Sequence, residues 1–229
     1  MSPNPLDHIA AAHQRAFGTP RAAATSSAAS PAIREQLIDA AERLLADRQV
    51  SAITTRDIAR AAGLSVGVLY NYFTDKNDLV VAALLRRYDA QLAVFEAGLP
   101  TAGQGDVEAN LVRYAEAVFD LASGTLPSIA GLMSDPSLMH RFFAEIHGPG
   151  YGMERTLGQV AAYLAGEQRL GRLGRFDVPA ATTTLMGSMI ALGLQGMVGG
   201  ARPADGAAAE DGRAQIPGVV RTLLGGLGA

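Results

Sequence analysis

The sequence predicts an all-α protein with two domains: a three-helix N-terminal domain that contains a helix-turn-helix, and a helical C-terminal domain. Three observations predict this class. Apolar residues recur at helical spacing along most of the 229 residues, strand-like alternation is nearly absent, and a glycine turn joins two short helical segments near residue 63. We expect an arm over residues 1–30, the first domain over 31–80 and the second over 81–229.

The composition excludes several classes of protein. The chain has no cysteine, which excludes a disulfide framework, cysteine-ligated zinc, iron–sulfur clusters and a thiol nucleophile. The first 30 residues lack the apolar segment of a secretory signal, so we expect a cytoplasmic protein. Residues 178–201 carry no charge and could cross a bilayer, but their threonines and glycines favour a buried helix at a subunit interface, and we expect no membrane partner.

The first domain is predicted to begin with an amphipathic helix. Pro31 suits the first helical turn, because the N–H that proline lacks has no helical partner there. Apolar residues from Ile33 to Leu45 recur at helical spacing, and the helix should end near Arg48. Residues 1–30, rich in Ala, Ser, Pro and Thr, are predicted to form a flexible arm.

Two shorter helices follow, joined by a tight turn. Residues 54–57, Thr-Thr-Arg-Asp, signal a helix start: a threonine hydroxyl can accept a hydrogen bond from an unpaired N–H of the first turn, and Asp57 suits the positive end of the helix dipole. Gly63 can take the positive φ that ends this helix, and Ser65 caps the next one. Leu69 should anchor that helix inward, which leaves small, polar and aromatic groups on its outer face, a shape that fits a DNA major groove. A longer helix then starts at residues 74–76 and runs to residue 95.

The segment TTRDIARAAGLSVGVLYNYFTDKNDL, residues 54–79, closely resembles the TetR family of transcription regulators. The resemblance covers about residues 32–80 and rests on the combined pattern T-x-x-x-I-A-x-x-A-G-x-S-x-G-x-L-Y-x-Y-F-x-x-K. Past residue 85 no motif is shared. The resemblance implies a homodimer that binds double-stranded DNA at an inverted repeat and carries a small-molecule effector site in its C-terminal domain, without a cofactor.

The resemblance also implies DNA-contacting positions. Backbone phosphates would be contacted by Thr55, Tyr70, Tyr72 and Lys76. Base edges would be reached by Arg56, Val66, Gly67, Val68 and Asn71, with Ser65 at the start of the same helix. Many relatives have Lys, Arg or Gln in place of Val66 and Thr in place of Val68, and two valines offer no hydrogen bonds.

The first domain has too little net positive charge to attract DNA over long distances. Residues 31–80 hold six basic and seven acidic side chains. Binding would therefore rely on a few local contacts, and we expect a shallower salt dependence than that of a highly basic DNA-binding protein. The arm is either an inert tail or, through Arg15 and Arg21, a further contact with DNA.

The second domain is predicted to hold six helices, over residues 106–122, 128–133, 136–146, 153–170, 178–198 and 214–227. Aromatic, methionine and histidine side chains are spread over several of them and could line an effector pocket for a largely apolar molecule. The candidates are Tyr88, Phe95, Tyr114, Phe119, Met139, His140, Phe143, His147, Tyr151, Met186 and Met189. For any single residue, ordinary core packing is the stronger alternative.

The last two helices are predicted to pair with their copies in a partner subunit. Small residues allow close helix approach, and larger ones would fill the gaps between helices. The candidates are Leu185, Gly187, Ser188, Ala191, Leu192, Gly196, Val220, Leu223 and Leu224. A dimer also meets a physical need, since one short helix reads few bases whereas two on a twofold axis read a palindrome.

Three functions are compatible with this pattern. The first is a DNA-binding regulator, most simply a repressor released from its operator by the effector. The second is a ligand-independent DNA-bound factor that recruits another protein. The third, a helical enzyme, is disfavoured because titratable residues do not converge, and His140 and His147 lie two helical turns apart, too far for a shared metal without bending.

Overall fold

A computed structural model describes residues 30–133, 135–147, 151–198 and 207–226, so the predicted arm lies outside the described residues except for Ser30. The described residues form an all-α fold with no strand among them. One compact unit ends at Ala83 and the other begins at Leu84. The helices are α1 (Pro31–Asp47), α2 (Thr55–Ala61), α3 (Val66–Tyr70), α4 (Lys76–Ala97), α5 (Val107–Leu132), α6 (Pro136–Ile146), α7 (Gly152–Arg169), α8 (Val178–Val198) and α9 (Ala207–Gly226), with a 3₁₀ turn at Val50–Ala52.

The first unit has one apolar core under α1, α2, α3 and the start of α4. Each helix contributes side chains that are almost fully buried, among them Leu37, Ile58, Leu69 and Leu79. The small Ala62 completes the core where α2 ends, which lets the following turn lie close to α1. The predicted three-helix arrangement with a helix-turn-helix is confirmed.

The second unit packs the rest of α4 with α5 to α9. Its largest fully buried side chains lie on α5, α6 and α7, including Phe119, Phe142 and Leu164. The predicted helices over 136–146 and 178–198 match α6 and α8. Two other predictions, a break within α5 and the start of α9, differ from the structure.

The predicted break in α5 was wrong. We expected separate helices over 106–122 and 128–133, but α5 continues through Pro127. Proline costs one helical hydrogen bond, which packing offsets here. A Cβ on Gly193 of α8 would lie 3.3 Å from both Leu126 Cδ1 and Ser123 Oγ, and the Thr125 hydroxyl donates to Gln91 Oε1 of α4 at 3.0 Å.

The predicted start of α9 at residue 214 was also wrong. The helix begins at Ala207 and includes Gly212, which we had assigned to the preceding connection. Gly212 lies where α9 crosses α5, and a Cβ there would come within 2.9 Å of the Phe119 ring. The glycine therefore allows close helix packing instead of ending a helix.

Candidate DNA interface and effector unit

The start of α2 is fixed by a reciprocal pair of caps. The Asp57 N–H donates to Thr54 Oγ1 at 3.2 Å, while the Thr54 N–H and hydroxyl donate to Asp57 Oδ2 at 3.0 and 2.6 Å. These hydrogen bonds from Thr54 lower the pKa of Asp57 from its usual value, because they favour its ionised form. The capped start holds Thr55 and Arg56 at the first turn of α2.

This cap makes the stability of the first unit dependent on pH. A carboxyl whose pKa is lower in the folded state stabilises the fold above its unfolded pKa, and the contribution is lost as pH falls through the folded value. Asp57→Ala should lower the melting temperature by a few degrees at pH 7, and by progressively less below about pH 4. Circular dichroism melts against pH test this. Asp47→Ala, which removes a charge at the exposed end of α1, is the control. If Asp57→Ala melts below the wild type by the same amount at low pH as at pH 7, the expectation is contradicted.

A glycine makes the turn between α2 and α3. Gly63 has φ +68°, the left-handed conformation that glycine adopts without strain. The Leu64 N–H then donates to Ala59 O at 2.8 Å, and Ser65 caps α3 by accepting from the Val68 N–H at 3.3 Å. The turn therefore fixes where α3 starts and which of its faces points inward.

One face of α3 is buried and the opposite face is free. Leu69 is fully buried. At about 100° per residue, Gly67 and Asn71 lie about 160° from Leu69 on either side, so they form the centre of the outer face. Val68 and Tyr70 flank them at about 100°, and the exposures agree: Gly67, Tyr70 and Asn71 are exposed and Val68 is half-buried.

The predicted phosphate contacts fall into two groups. Tyr70 is 54% exposed, Arg56 is exposed and Thr55 is half-buried. Tyr72 and Lys76 already hold the fold together. The Tyr72 hydroxyl accepts from the Ser30 N–H at 3.0 Å, and Lys76 Nζ donates to the carbonyls of Val50 and Ile53 at 3.3 and 3.1 Å.

Both side chains still have hydrogen-bond donors to offer. The Tyr72 hydroxyl, which accepts from Ser30, can also donate one hydrogen bond, and the Lys76 amine has three N–H groups, of which two are used. Sequence analysis missed the structural role, because both contacts join segments that are distant in sequence. A phosphate contact by either residue remains a prediction.

In the second unit the predicted pocket residues separate into buried and exposed groups. Tyr88, Phe95, Tyr114, Phe119, Met186 and Met189 are buried, Met139, Phe143 and Tyr151 are half-buried, and His140 and His147 are exposed. Tyr88 and Tyr151 meet edge to face at 6.1 Å, and the Tyr151 hydroxyl donates to Asp89. Burial raises the pKa of Tyr88 to about 12, so this phenol stays neutral at pH 7.

Phe119 and His147 contact other side chains. Phe119 packs under α9, with the Arg213 guanidinium 5.8 Å from its ring centre. The ring of His147 lies 5.5 Å from that of Phe143. No group of three or more His, Asp or Glu suited to a metal ion occurs among the residues that the structure describes.

Sequence analysis missed several polar side chains that pack between helices of the second unit. The Gln159 amide donates to Glu96 Oε1 at 3.2 Å, and Arg155 forms an ion pair with Glu96. Among the described residues, the buried oxygens without a hydrogen-bond partner include Gln159 Oε1 and Ser123 Oγ. Such groups are costly unless water or a ligand satisfies them, and no local motif marks their positions in the sequence.

An open groove of about 890 Å³ runs between α8 and α9. Its lining is mostly small or apolar, with Asp177 and Arg221 as its charged residues. Its hydroxyls are satisfied within their own helices: Thr184 donates to Ala180 O, Ser188 to Thr184 O and Thr222 to Gly218 O, at 2.8–2.9 Å. These hydroxyl donors would therefore keep their hydrogen bonds if another surface buried them.

The predicted dimer residues are divided between this groove and the core. Leu185, Ser188 and Leu223 line the groove. Leu192 and Val220 are buried within the protomer, whereas Gly187 and Ala191 are exposed and Leu224 is half-buried. Gly196 lies in α8, but its surroundings fall outside the described residues. No helix in the described part of the chain is apolar over a length sufficient to span a bilayer.

A capped helix, a glycine turn and a second short helix with a free outer face define a helix-turn-helix protein. The family profile described as "Bacterial regulatory proteins, tetR family" matches residues 37–83, which contain these elements. The chain therefore contains a DNA-binding domain of the TetR family, a family of transcription regulators.

Two relatives illustrate the extent of the sequence similarity. The transcriptional regulator BetI of Cronobacter sakazakii is 38% identical over 91 residues, which are 39% of this chain and 45% of BetI. The transcriptional repressor LfrR of Mycolicibacterium smegmatis is 34% identical over 121 residues, 51% of this chain and 60% of LfrR. The matches thus span about half the length of these relatives.

Solved structures share the fold of nearly the whole chain. A TetR-family structure from Mesorhizobium loti aligns over 89% of this chain and 100% of its own, with a TM-score of 0.69 and 18% identity. FadR of Bacillus subtilis in complex with stearoyl-CoA covers 84% of this chain and 98% of its own (TM-score 0.60, 19% identity). A Saccharomonospora viridis structure in complex with choline covers 84% and 97% (TM-score 0.63, 20% identity).

Proposed function

We propose that the protein is a homodimeric transcriptional repressor, which binds an inverted-repeat operator through α3 and leaves it when a small molecule occupies the second unit. The observation that carries the proposal is the free outer face of α3, held by a capped α2 and a glycine turn within the region that matches the TetR family. A helix of this kind can enter a major groove.

The groove between α8 and α9 supports the homodimer. Its small side chains allow close helix approach, and its satisfied hydroxyls can be buried without cost in hydrogen bonds. Two copies related by a twofold axis would bury the same surface on each other. The two α3 helices would then read two half-sites about 34–36 Å apart, or a multiple of that distance.

The buried aromatics and unpartnered oxygens of the second unit support an effector site. An effector with an apolar body and one polar end would pack against aromatic side chains and satisfy an oxygen such as Gln159 Oε1. FadR of Bacillus subtilis with stearoyl-CoA and the Saccharomonospora viridis structure with choline show that this fold accepts molecules of very different kinds.

Release from DNA would follow from a shift between two conformations. An effector can lower operator affinity only by the ratio of its own affinities for the free and DNA-bound conformations. Because α4 contributes Lys76 to the first unit and Tyr88 and Phe95 to the second, we expect this helix to couple the two sites.

Selection of bound sequences from a random DNA pool tests the proposal, with the purified full-length protein at a stated salt concentration. We expect enrichment of an inverted repeat and, in Asn71→Ala, whose side chain is exposed, a relaxed preference at one position of each half-site. Arg175→Ala in the second unit is the control, expected to enrich the same repeat. A folded dimer that enriches no shared sequence would contradict the proposal and favour a protein-recruiting factor.

The enriched operator then serves as the probe for the effector. A library containing fatty acyl thioesters and quaternary ammonium compounds is screened by thermal shift, and hits are titrated into the protein–operator complex. We expect at least one hit to weaken operator binding by about fivefold or more. Hits that raise the melting temperature but leave operator affinity unchanged would contradict the release mechanism.

A further inference from the structure

The outer face of α3 carries an unusual set of side chains for reading DNA. Its centre holds a glycine and an asparagine, Gly67 and Asn71, and a valine, Val68, flanks them. Long basic side chains, which contact guanine most often, are absent from α3. The chemistry of this face therefore narrows the base pairs that it can recognise.

Val68 offers only apolar contact. It is half-buried and is not part of the apolar core of the first unit, so the core does not account for a β-branched side chain at this position. In the major groove the apolar group that a base presents is the C5-methyl of thymine. A valine beside the centre of the face is therefore suited to a thymine.

Asn71 is free to pair with a base. Its side chain is exposed and makes no hydrogen bond to any residue that the structure describes. A carboxamide has a donor and an acceptor on one edge, which match N7 and the N6 amino group of adenine. It cannot form the same pair of hydrogen bonds with guanine, which presents two acceptors there.

Gly67 allows the backbone of α3 to approach the DNA bases closely. Its backbone does not require glycine, because its φ lies outside the left-handed region and a Cβ would meet only Ser65 Oγ at 3.8 Å. Glycine is nevertheless unfavourable in a helix. Its use at the centre of the outer face is explained if the backbone comes near the bases, where a side chain would hold α3 away.

We propose that α3 recognises A·T pairs, with Val68 packed against the methyl group of a thymine and the Asn71 carboxamide paired with an adenine, at a backbone distance that Gly67 permits. This inference rests on the proposed operator binding. It assigns to Val68 and Asn71 the sequence preference at the centre of each half-site and leaves Arg56, on α2, for a neighbouring position.

Base analogues that change single atoms test the inference. In the enriched operator each thymine is replaced in turn by deoxyuridine, which lacks only the methyl group, and each adenine by 7-deazaadenine, which lacks N7. We expect one uracil position per half-site to weaken wild-type binding about fourfold, or about fifteenfold when both half-sites are changed. We expect one 7-deazaadenine position to weaken it about tenfold.

Matched variants assign each effect to a residue. Val68→Ala should bind the thymine and uracil operators equally, and Asn71→Ala should lose its sensitivity to 7-deazaadenine. Arg175→Ala, at an exposed position of the second unit, is the control and should keep both sensitivities. Wild-type binding that tolerates uracil at every position would overturn the thymine contact. Failure to enrich any operator would instead overturn the proposed function and this inference with it.

Discussion

Thr184→Arg is expected to dissociate the homodimer and to weaken operator binding by about 10²–10⁴-fold. Thr184 is exposed in the protomer and lines the groove between α8 and α9, so an arginine can extend into solvent without disturbing the protomer fold. In the proposed dimer the same side chain would be buried against its symmetry mate, where two like charges would lose their hydration and repel each other. The loss in affinity follows because a dimer binds its second half-site at high effective concentration and a monomer does not.

Sedimentation velocity and fluorescence anisotropy with the enriched operator measure the two effects. Thr183→Arg is the matched control: it is the adjacent residue on α8, is also exposed and does not line the groove. We expect it to remain dimeric and to bind like the wild type. A Thr184→Arg protein that stays dimeric with unchanged affinity would show that the subunits associate through another surface, and equal dissociation by both variants would remove the assignment to the groove.

Local signals were sufficient to predict the first unit. The Thr54–Asp57 cap, the positive φ at Gly63 and the inward Leu69 each follow from the chemistry of a few adjacent residues. The outer face of α3 then follows from helical periodicity once Leu69 is placed inward. The contacts of Lys76 with the carbonyls of Val50 and Ile53 could not be predicted, because they depend on how the chain returns past the 3₁₀ turn.

The second unit was harder to predict because long-range packing decides its details. Pro127 and Gly212 are helix breakers by local propensity, yet both lie inside helices. Gly212 is needed where α9 crosses Phe119, and the neighbours of Pro127 pack against α8 and α4. The unpartnered oxygens of Gln159 and Ser123 are likewise a product of tertiary structure, so the sequence indicated aromatic candidates for the effector site but not these polar ones.

Gly67→Ala is expected to make the protein more stable and a weaker DNA binder. Alanine is favoured over glycine by up to about 1 kcal/mol in a helix, and the added Cβ meets only Ser65 Oγ, so the free energy of unfolding should rise by about 0.5 kcal/mol near the end of this short helix. Operator affinity should fall by about 10²-fold, because a methyl group at the centre of the outer face would move α3 away from the bases and weaken the contacts of both Val68 and Asn71.

Opposite signs for stability and affinity distinguish a DNA contact from a structural role. Urea denaturation and operator titration measure the two quantities on the same preparation. Gly158→Ala, at an exposed helical position in α7 where a Cβ meets nothing within 4 Å, should raise stability similarly and leave operator affinity unchanged. If Gly67→Ala binds the operator as tightly as the wild type, the backbone of α3 does not approach the bases at this position. A glycine that lowers stability and is not needed for binding would then have no physical account in the first unit.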